Sequence, residues 1–238
     1  MILVIIPTYN ERDNIARIIP QVLAQHKDIH ILVVDDNSPD QTGKAVEDLM
    51  AGECAERLHI LRRAGKLGLG TAYIAGFKWA LERDYQYIFE MDADFSHNPD
   101  YIPDFLREIE HSDLVIGSRY VAGGGVKNWG MIRQMISRGG SLYSRLILGL
   151  HFRDLTGGFK CFRREVLASL NLEDIRSNGY SFQIEMTYRA FLKGFRIREI
   201  PIVFEDRTLG KSKMSRKIFL EAVFMVLKLR RDKNHFQL

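Results

Sequence analysis

The chain has 238 residues, 46% of them hydrophobic and 27% charged. That balance suits one large globular body with ample core material, and it excludes a disordered tail, a collagen-like rod and a disulfide-stapled miniprotein. The net charge of +4 is too small to argue for bulk binding of nucleic acid, so no nucleic-acid partner is expected.

An apolar β-type run at residues 2–6 meets Pro7. Ile15, Ile18, Ile19, Val22 and Leu23 then recur at helical spacing, with Asn10 as the expected N-cap. A second apolar run, 31–34, ends in Asp35-Asp36 and is followed by a helix over 41–51. A short strand at 58–61 precedes a glycine-spaced helix start at Gly65, Gly68 and Gly70. A strand at 87–91 ends in Asp92-Ala93-Asp94, and a helix over 100–109 leads to a strand at 114–117. This alternation, with continuously apolar strands, predicts an α/β fold whose mostly parallel central sheet is covered by helices on both faces.

Beyond Ser118 the pattern changes. A glycine-rich loop at 121–128 precedes two basic amphipathic segments, 129–138 and 141–150, separated by Gly139-Gly140. A strand at 159–162, a helix at 182–192, a strand at 195–204 with Pro201 at its edge and a helix at 215–229 complete the prediction. The change near residue 120 divides one compact body into two halves, 1–120 and 121–238. Cys54 and Cys161 lack metal-ligand spacing and are expected as buried thiols in a reducing compartment. The apolar start without a basic leader is not expected to be a signal peptide, and no run of about 18 uncharged apolar residues predicts a membrane span.

In open α/β sheets ligands bind beyond the carboxyl ends of the strands. Three predicted strands end there in polar groups: Pro7 to Glu11, Asp35 to Asp40, and Asp92-Ala93-Asp94. Asp92 and Asp94 point the same way if that segment stays extended, and two close carboxylates repel unless a cation lies between them. Hard oxygen ligands of this kind fit Mg²⁺ or Mn²⁺ carrying substrate phosphates. Asp36 and Glu11 suit sugar hydroxyls or a base edge. Arg119, Arg207, Lys211 and Lys213 follow strand ends and suit phosphate. The glycines at 65–70 are not a dinucleotide fingerprint, because Tyr73 stands where the third small residue belongs. His97, beside the paired aspartates, is expected to face solvent or cap a helix rather than take part in catalysis.

Six segments together, Pro7 to Glu11, Val33 to Asp40, Leu67 to Tyr73, Met91 to His97, Gly117 to Tyr120 and Asp206 to Lys213, resemble the dolichol-phosphate (polyprenyl-phosphate) mannosyltransferases, which are inverting family-2 glycosyltransferases of GT-A fold. The resemblance implies a nucleotide site made by Pro7, Tyr9, Glu11, Val34, Asp36 and Ala93. It implies Mg²⁺ or Mn²⁺ on Asp92 and Asp94, and phosphate contacts from Arg119, Arg207 and Lys213. Arg133 and Ser137 would receive the acceptor phosphate, so that Asp94, Arg119, Arg133 and Ser137 form the catalytic set. Some relatives carry a metal-binding Gln where this chain has Ser96. The implied reaction moves mannose from GDP-mannose to a polyprenyl monophosphate, with transfer from a UDP-sugar such as UDP-glucose as the alternative. Residues 1–120 would then bind the nucleotide sugar, and 121–238 would bind the acceptor and face the membrane.

A lipid acceptor requires the site to come to a membrane surface. Met131, Ile132, Met135, Ile136, Leu142, Leu146 and Ile147 beside Arg133, Arg138 and Arg145 fit an interfacial helix pair or ordinary core. The last helix is either core or a dock for a small membrane-anchoring subunit. A cytoplasmic enzyme held peripherally at the inner face of a membrane is expected.

Overall fold

A computed structural model describes residues 1–52, 54, 56–175, 177–205 and 216–236, with side chains described for all of these except 216–222. Among them, seven strands make one sheet: β1 (Ile2–Thr8), β2 (Ile29–Asp35), β3 (Leu58–Arg62), β4 (Tyr87–Glu90), β5 (Leu114–Ser118), β7 (Lys160–Arg163) and β8 (Ile197–Pro201). Their spatial order is β3-β2-β1-β4-β7-β5-β8. All pairings are parallel except those of β7, which runs against both β4 and β5. The predicted mostly parallel sheet is therefore observed, with one reversed strand that periodicity alone does not reveal.

Side-chain alternation builds the core. Leu3, Ile5, Leu32 and Val34 enter one apolar cluster, and Val4, Ile6, Ile31 and Val33 enter the other on the opposite face. The first face is covered by α3 (Leu69–Leu81), α6 (Arg164–Ser169) and α7 (Gly179–Leu192). The second is covered by α1 (Arg12–Ala24), α2 (Thr42–Met50) and α4 (Ile102–Ile109). The start of α3 needs its glycines: Gly68 has φ +106°, and a Cβ on Gly70 would lie 2.5 Å from the Ser177 carbonyl oxygen.

Several boundaries differ from the sequence expectation. The helical segments 129–138 and 141–150 are one helix, α5 (Met131–Leu148), running straight through Gly139-Gly140. Mid-helix glycine costs about 1 kcal/mol relative to alanine, too little to end a helix of 18 residues whose Ser141, Ser144 and Leu148 are buried. The strand expected over 195–204 breaks after Pro201. β9 (Val203–Glu205) leaves the main sheet to pair with β6 (Gly125–Lys127), which lies inside the predicted glycine-rich loop. Asn10 is not the N-cap of α1: that place belongs to Glu11, while Asn10 takes a positive φ of 62°. The first N–H groups are met instead from the β2–α2 loop, Asn10 N donating to Ser38 Oγ (3.1 Å), Glu11 N to Thr42 Oγ1 (3.0 Å) and Arg12 N to Asp40 Oδ2 (3.1 Å). Past the sheet, α8 (Arg216–Arg231) packs on α5 and α7, and α9 (Lys233–Phe236) follows. Cys161 is buried and Cys54 half-buried, both as free thiols.

Candidate active site

The chain lays β2 and β3 to one side of β1, then crosses to place β4 on the other side. Such a reversal opens a crevice at the carboxyl ends of the strands. The three acidic strand ends meet there. Pro7 and Thr8 lie in register with Val34 and Asp35, Asp36 N donates to Thr8 O (3.0 Å), and Met91 N donates to Ile5 O (3.1 Å). Thr8 Oγ1 (3.1 Å) and Ser38 Oγ (2.6 Å) both donate to Asp35 Oδ1, so Asp35 is a structural brace of the crevice. Asp36 is 6% exposed, with Arg63 Nε 3.2 Å from its Oδ1. Burial raises its carboxyl above the ordinary value, against the opposing charge of Arg63. Tyr9 and Glu11 line the same rim half-buried, and Lys66 Nζ sits 4.1 Å from the centre of the Tyr9 ring. Val34 is fully buried in the core, so it can serve a nucleotide only through its main chain.

Asp92 and Asp94 lie just past β4, half-exposed, on a bend rather than on an extended strand; Phe95 completes the bend with φ 63°. Ser96 N donates to Asp94 Oδ1 (3.1 Å), while the Ser96 hydroxyl is buried and has no hydrogen-bond partner among the described residues. His97 does not face solvent. It is 1% exposed, stacks on Phe159 at 5.0 Å, and its Nδ1 accepts from Asp92 N (3.0 Å). Burial lowers its pKa against the pull of Asp92 and Asp94. A neutral ring with Nδ1 as acceptor carries its proton on Nε2, 3.9 Å from Asp92 Oδ2. His97 thus holds the bend in place.

Beneath the bend, Glu90 is fully buried opposite Lys160 in the β4–β7 register, and Lys160 Nζ donates to Gln183 O (2.7 Å) and Thr187 Oγ1 (3.0 Å). Burial raises Glu90 and lowers Lys160. The Tyr73 phenol is pushed well up by burial and then by Asp92, Glu90 and Asp94, which shows how closely negative charge is gathered here. Two half-exposed carboxylates in front of a third carboxyl group fit a hard divalent cation that takes its remaining oxygens from a diphosphate and water. Asp92 and Asp94 would hold such an ion.

The basic side of the crevice is built by side-chain pairing. Arg119, at the end of β5, is 4% exposed and makes a two-pronged pair with the fully buried Asp154 (Nε to Oδ2 and Nη2 to Oδ1, both 2.7 Å), and Nη2 also donates to Thr156 Oγ1 (2.8 Å). Burial alone would raise the Asp154 carboxyl, but the charge and hydrogen bonds of Arg119 outweigh it and hold it below 3.8. The Arg119 guanidinium lies 5.3–5.5 Å from the rings of Tyr120, Trp129 and Phe204. Arg133 stacks over Trp129 at 4.1 Å, and Tyr120 OH donates to Ser137 Oγ (2.7 Å). Phe204 touches both Trp129 (5.3 Å) and His97 (5.7 Å), so a continuous aromatic floor joins the aspartate bend to Arg133.

The structure thus gathers Asp92, Asp94, Arg119, Arg133 and Ser137 around one crevice. Arg207 and Lys213 lie outside the described residues, as does Lys211. Sequence reasoning missed Asp154, Thr156, Tyr120 and Trp129. The signal available was an acid and a threonine in the glycine-rich turn Asp154-Leu155-Thr156-Gly157-Gly158 before a strand.

Behind Arg133 and Ser137 opens an apolar cavity of about 290 Å³ between α5, α7 and α8, lined among others by Trp129, Ile136, Tyr143, Ile184 and Val226. The outer arc of α5 is also apolar: Met131, Ile132, Met135 and Leu146 are 67–78% exposed and Leu142 52%, while the inward positions are Ser141, Ser144 and Leu148. That reverses the ordinary pattern of a helix on a globular body, so these residues are not core. Val226 and Leu229 of α8 are buried, whereas Phe224 and Leu227 are exposed. Among the described residues no helix is long and apolar enough to cross a membrane.

Residues 3–170 match the model of glycosyl transferase family 2. The chain belongs to that family. This family 2 glycosyltransferase is 47% identical over 225 residues to a polyprenol monophosphomannose synthase of Mycolicibacterium smegmatis, covering 94% of this chain and 84% of the relative. It is also 47% identical to an undecaprenyl-phosphate mannosyltransferase of Micrococcus luteus, covering 94% and 92%. Solved glucosyl-3-phosphoglycerate synthase structures from Mycobacterium tuberculosis share its GT-A fold. One, with Mn²⁺, uridine diphosphate and glucosyl-3-phosphoglycerate, superposes with a TM-score of 0.68 at 17% identity, over 96% of this chain and 79% of that one. Another, with Mg²⁺ and uridine diphosphate, gives 0.69 at 18%, over 96% and 78%. The expected enzyme class and fold are borne out.

Proposed function

We propose that this enzyme transfers mannose from GDP-mannose to a polyprenyl monophosphate, with inversion at the anomeric carbon. The observation that carries the reading is the position of Arg133 and Ser137: a cation and a hydroxyl stand at the mouth of an apolar cavity, beside a helix whose outer arc is apolar. A lipid with a phosphate head presents the same succession of charge and hydrocarbon. The relatives' names, which specify polyprenol and undecaprenyl phosphate with mannose, agree.

The chemistry follows from the residues. A phosphate monoester has a second pKa near about 6 and arrives ionised, so it attacks without a general base. Neither neighbouring candidate base is disposed to act as one: His97 Nδ1 accepts from Asp92 N, and Asp154 is locked onto Arg119. Residues 1–120 bind the donor, with Pro7, Tyr9, Glu11, Asp36, Ala93 and the main chain of Val34 around the nucleotide. Asp92 and Asp94 would hold Mg²⁺ or Mn²⁺, whose charge offsets that growing on the departing diphosphate. By the family resemblance Arg207 and Lys213 would contact the donor phosphates. Arg119, its charge matched by Asp154, fixes the aromatic floor beneath the site, and Arg133 and Ser137 orient the acceptor phosphate.

Residues 121–238 face the lipid. Exposing an acceptor chain costs about 0.8 kcal/mol per CH₂ group, so the enzyme must meet the lipid at its membrane. The outer arc of α5, flanked by Arg138 and Arg145, lies on the inner face of the membrane from the cytoplasmic side, and exposed Phe224 and Leu227 offer a contact for a small anchoring subunit. A donor panel with one short polyprenyl phosphate tests the reading. GDP release from GDP-mannose, at least about tenfold faster than UDP release from UDP-glucose, is expected. Preference for UDP-glucose would move the enzyme to the glucosyl branch.

A further inference from the structure

At the opposite end of the sheet, away from the acid crevice, three side chains from separate elements converge. His30 stands near the start of β2, His59 near the start of β3, and Tyr85 just before β4. His30 Nδ1 lies 3.3 Å from His59 Nε2, and Tyr85 OH lies 3.2 Å from the first and 3.4 Å from the second. The three atoms form a nearly equilateral triangle.

Hydrogen bonding fills at most two edges of this triangle. In a neutral imidazole one nitrogen donates and the other accepts, and a tyrosine hydroxyl has a single proton. If each proton serves one contact, no choice of tautomers satisfies all three edges. One cation accounts for all three. A triangle of these dimensions has corners about 1.9 Å from its centre, so an ion about 2.0–2.1 Å from each atom sits just out of the plane, as in tetrahedral nitrogen and oxygen coordination. Both rings are half-buried, which leaves the fourth position to water.

The surroundings hold the ligands in place and favour one class of ion. The imidazoles stack at 21°, Trp79 packs 5.1 Å from His59 and 5.9 Å from Tyr85, and Arg83 covers Trp79 at 3.8 Å. Arg57 and the N-terminal amine act on His30 along with Asp28, and Arg83 acts on His59. These positive charges oppose any cation, so an ion here must be held by its affinity for imidazole nitrogen, which favours the borderline transition metals over the hard oxygen-seeking ones.

We propose that His30, His59 and Tyr85 form a site for a borderline transition-metal cation of the Zn²⁺ class, separate from the metal of the transfer reaction, which ties together the starts of β2, β3 and β4. On binding, both rings give a nitrogen lone pair, the Tyr85 oxygen bonds to the ion, and its proton leaves to solvent.

The test uses full-length protein stripped with EDTA and carrying Asp92→Ala and Asp94→Ala, which silences the acid crevice. Titration with Co²⁺ should give one equivalent with the visible d–d absorption of a tetrahedral ion, displaced by Zn²⁺. His30→Gln and His59→Gln should each abolish the band and weaken Zn²⁺ binding at least about tenfold, since losing even an outer-shell partner costs 10–100-fold. Tyr85→Phe, which removes one oxygen, should weaken binding with the circular dichroism unchanged. Absence of the Co²⁺ band in the folded protein would mean a hydrogen-bonded triad only, and a band unchanged in both histidine variants would place the ion elsewhere. Either result overturns the proposal.

Discussion

The two flanks of the crevice are built by different means. On the donor flank, main-chain register does the work: Pro7, Asp36 and Asp92 stand together because β1 lies between β2 and β4, and the residues that lead up to each polar end (Leu3 to Ile6, Ile31 to Val34, Tyr87 to Phe89) are apolar. On the acceptor flank the register contributes little. Arg119 is held by Asp154, 35 residues away, and Arg133 by the Trp129 ring. The strand-end acids are therefore set first by the sheet, with His97 fixing the bend that carries Asp92 and Asp94, whereas the basic flank depends on a few side-chain pairs throughout.

That contrast can be broken at defined points. The largest effect on transfer belongs to Asp94→Ala, on the donor flank. Turnover should fall on the order of 10²–10³-fold with the fold intact by circular dichroism, because the sheet that carries the bend does not rest on this side chain. The largest effect on stability belongs to Asp154→Ala, on the acceptor flank. It leaves the buried Arg119 charge unpaired, at a cost of about 3–5 kcal/mol read from urea unfolding.

The same pair gives a pH signature. The Asp154 pKa is depressed in the folded state, so its contribution to stability is present above about 3.8 and is lost as pH falls through the lower folded value. Asp154→Asn should flatten the acid limb of the stability curve. A limb equal to that of the wild type would mean that the pair contributes nothing. The smallest effect belongs to the outer arc of α5. Replacing Met131, Ile132 and Met135 together by serine should lower partition onto anionic vesicles by at least about tenfold while donor-side hydrolysis is unchanged, since full burial of one such side chain is worth about 1.5–3 kcal/mol.

The donor flank was legible in the sequence because its signals are local: an apolar run, then acids. Glu11, Asp36, Asp92 and Asp94 were all placed from strand ends, and the family resemblance supplied Arg133 and Ser137. The reversal of β7 was not legible, because an antiparallel strand has the same apolar pattern as a parallel one. Asp154 was missed for a similar reason, since an acid in a glycine-rich turn has the composition of any loop until its partner 35 residues away is known. His97 was misjudged because burial against Phe159 and Phe204 is a tertiary fact. The α5 glycines suggested a break, yet the helix runs through them, with Ser141, Ser144 and Leu148 of the following turns buried against the body.

The central claim is that sugar passes across this crevice to an anion that needs no base. The most direct measurement supplies labelled GDP-mannose with either a polyprenyl phosphate or the matching free polyprenol and counts label in the extracted lipid. Label is expected in the phosphate sample alone, and it should be reduced in Arg133→Ala while donor binding persists. Equal label in the free alcohol, or undiminished transfer by Arg133→Ala, would contradict that claim.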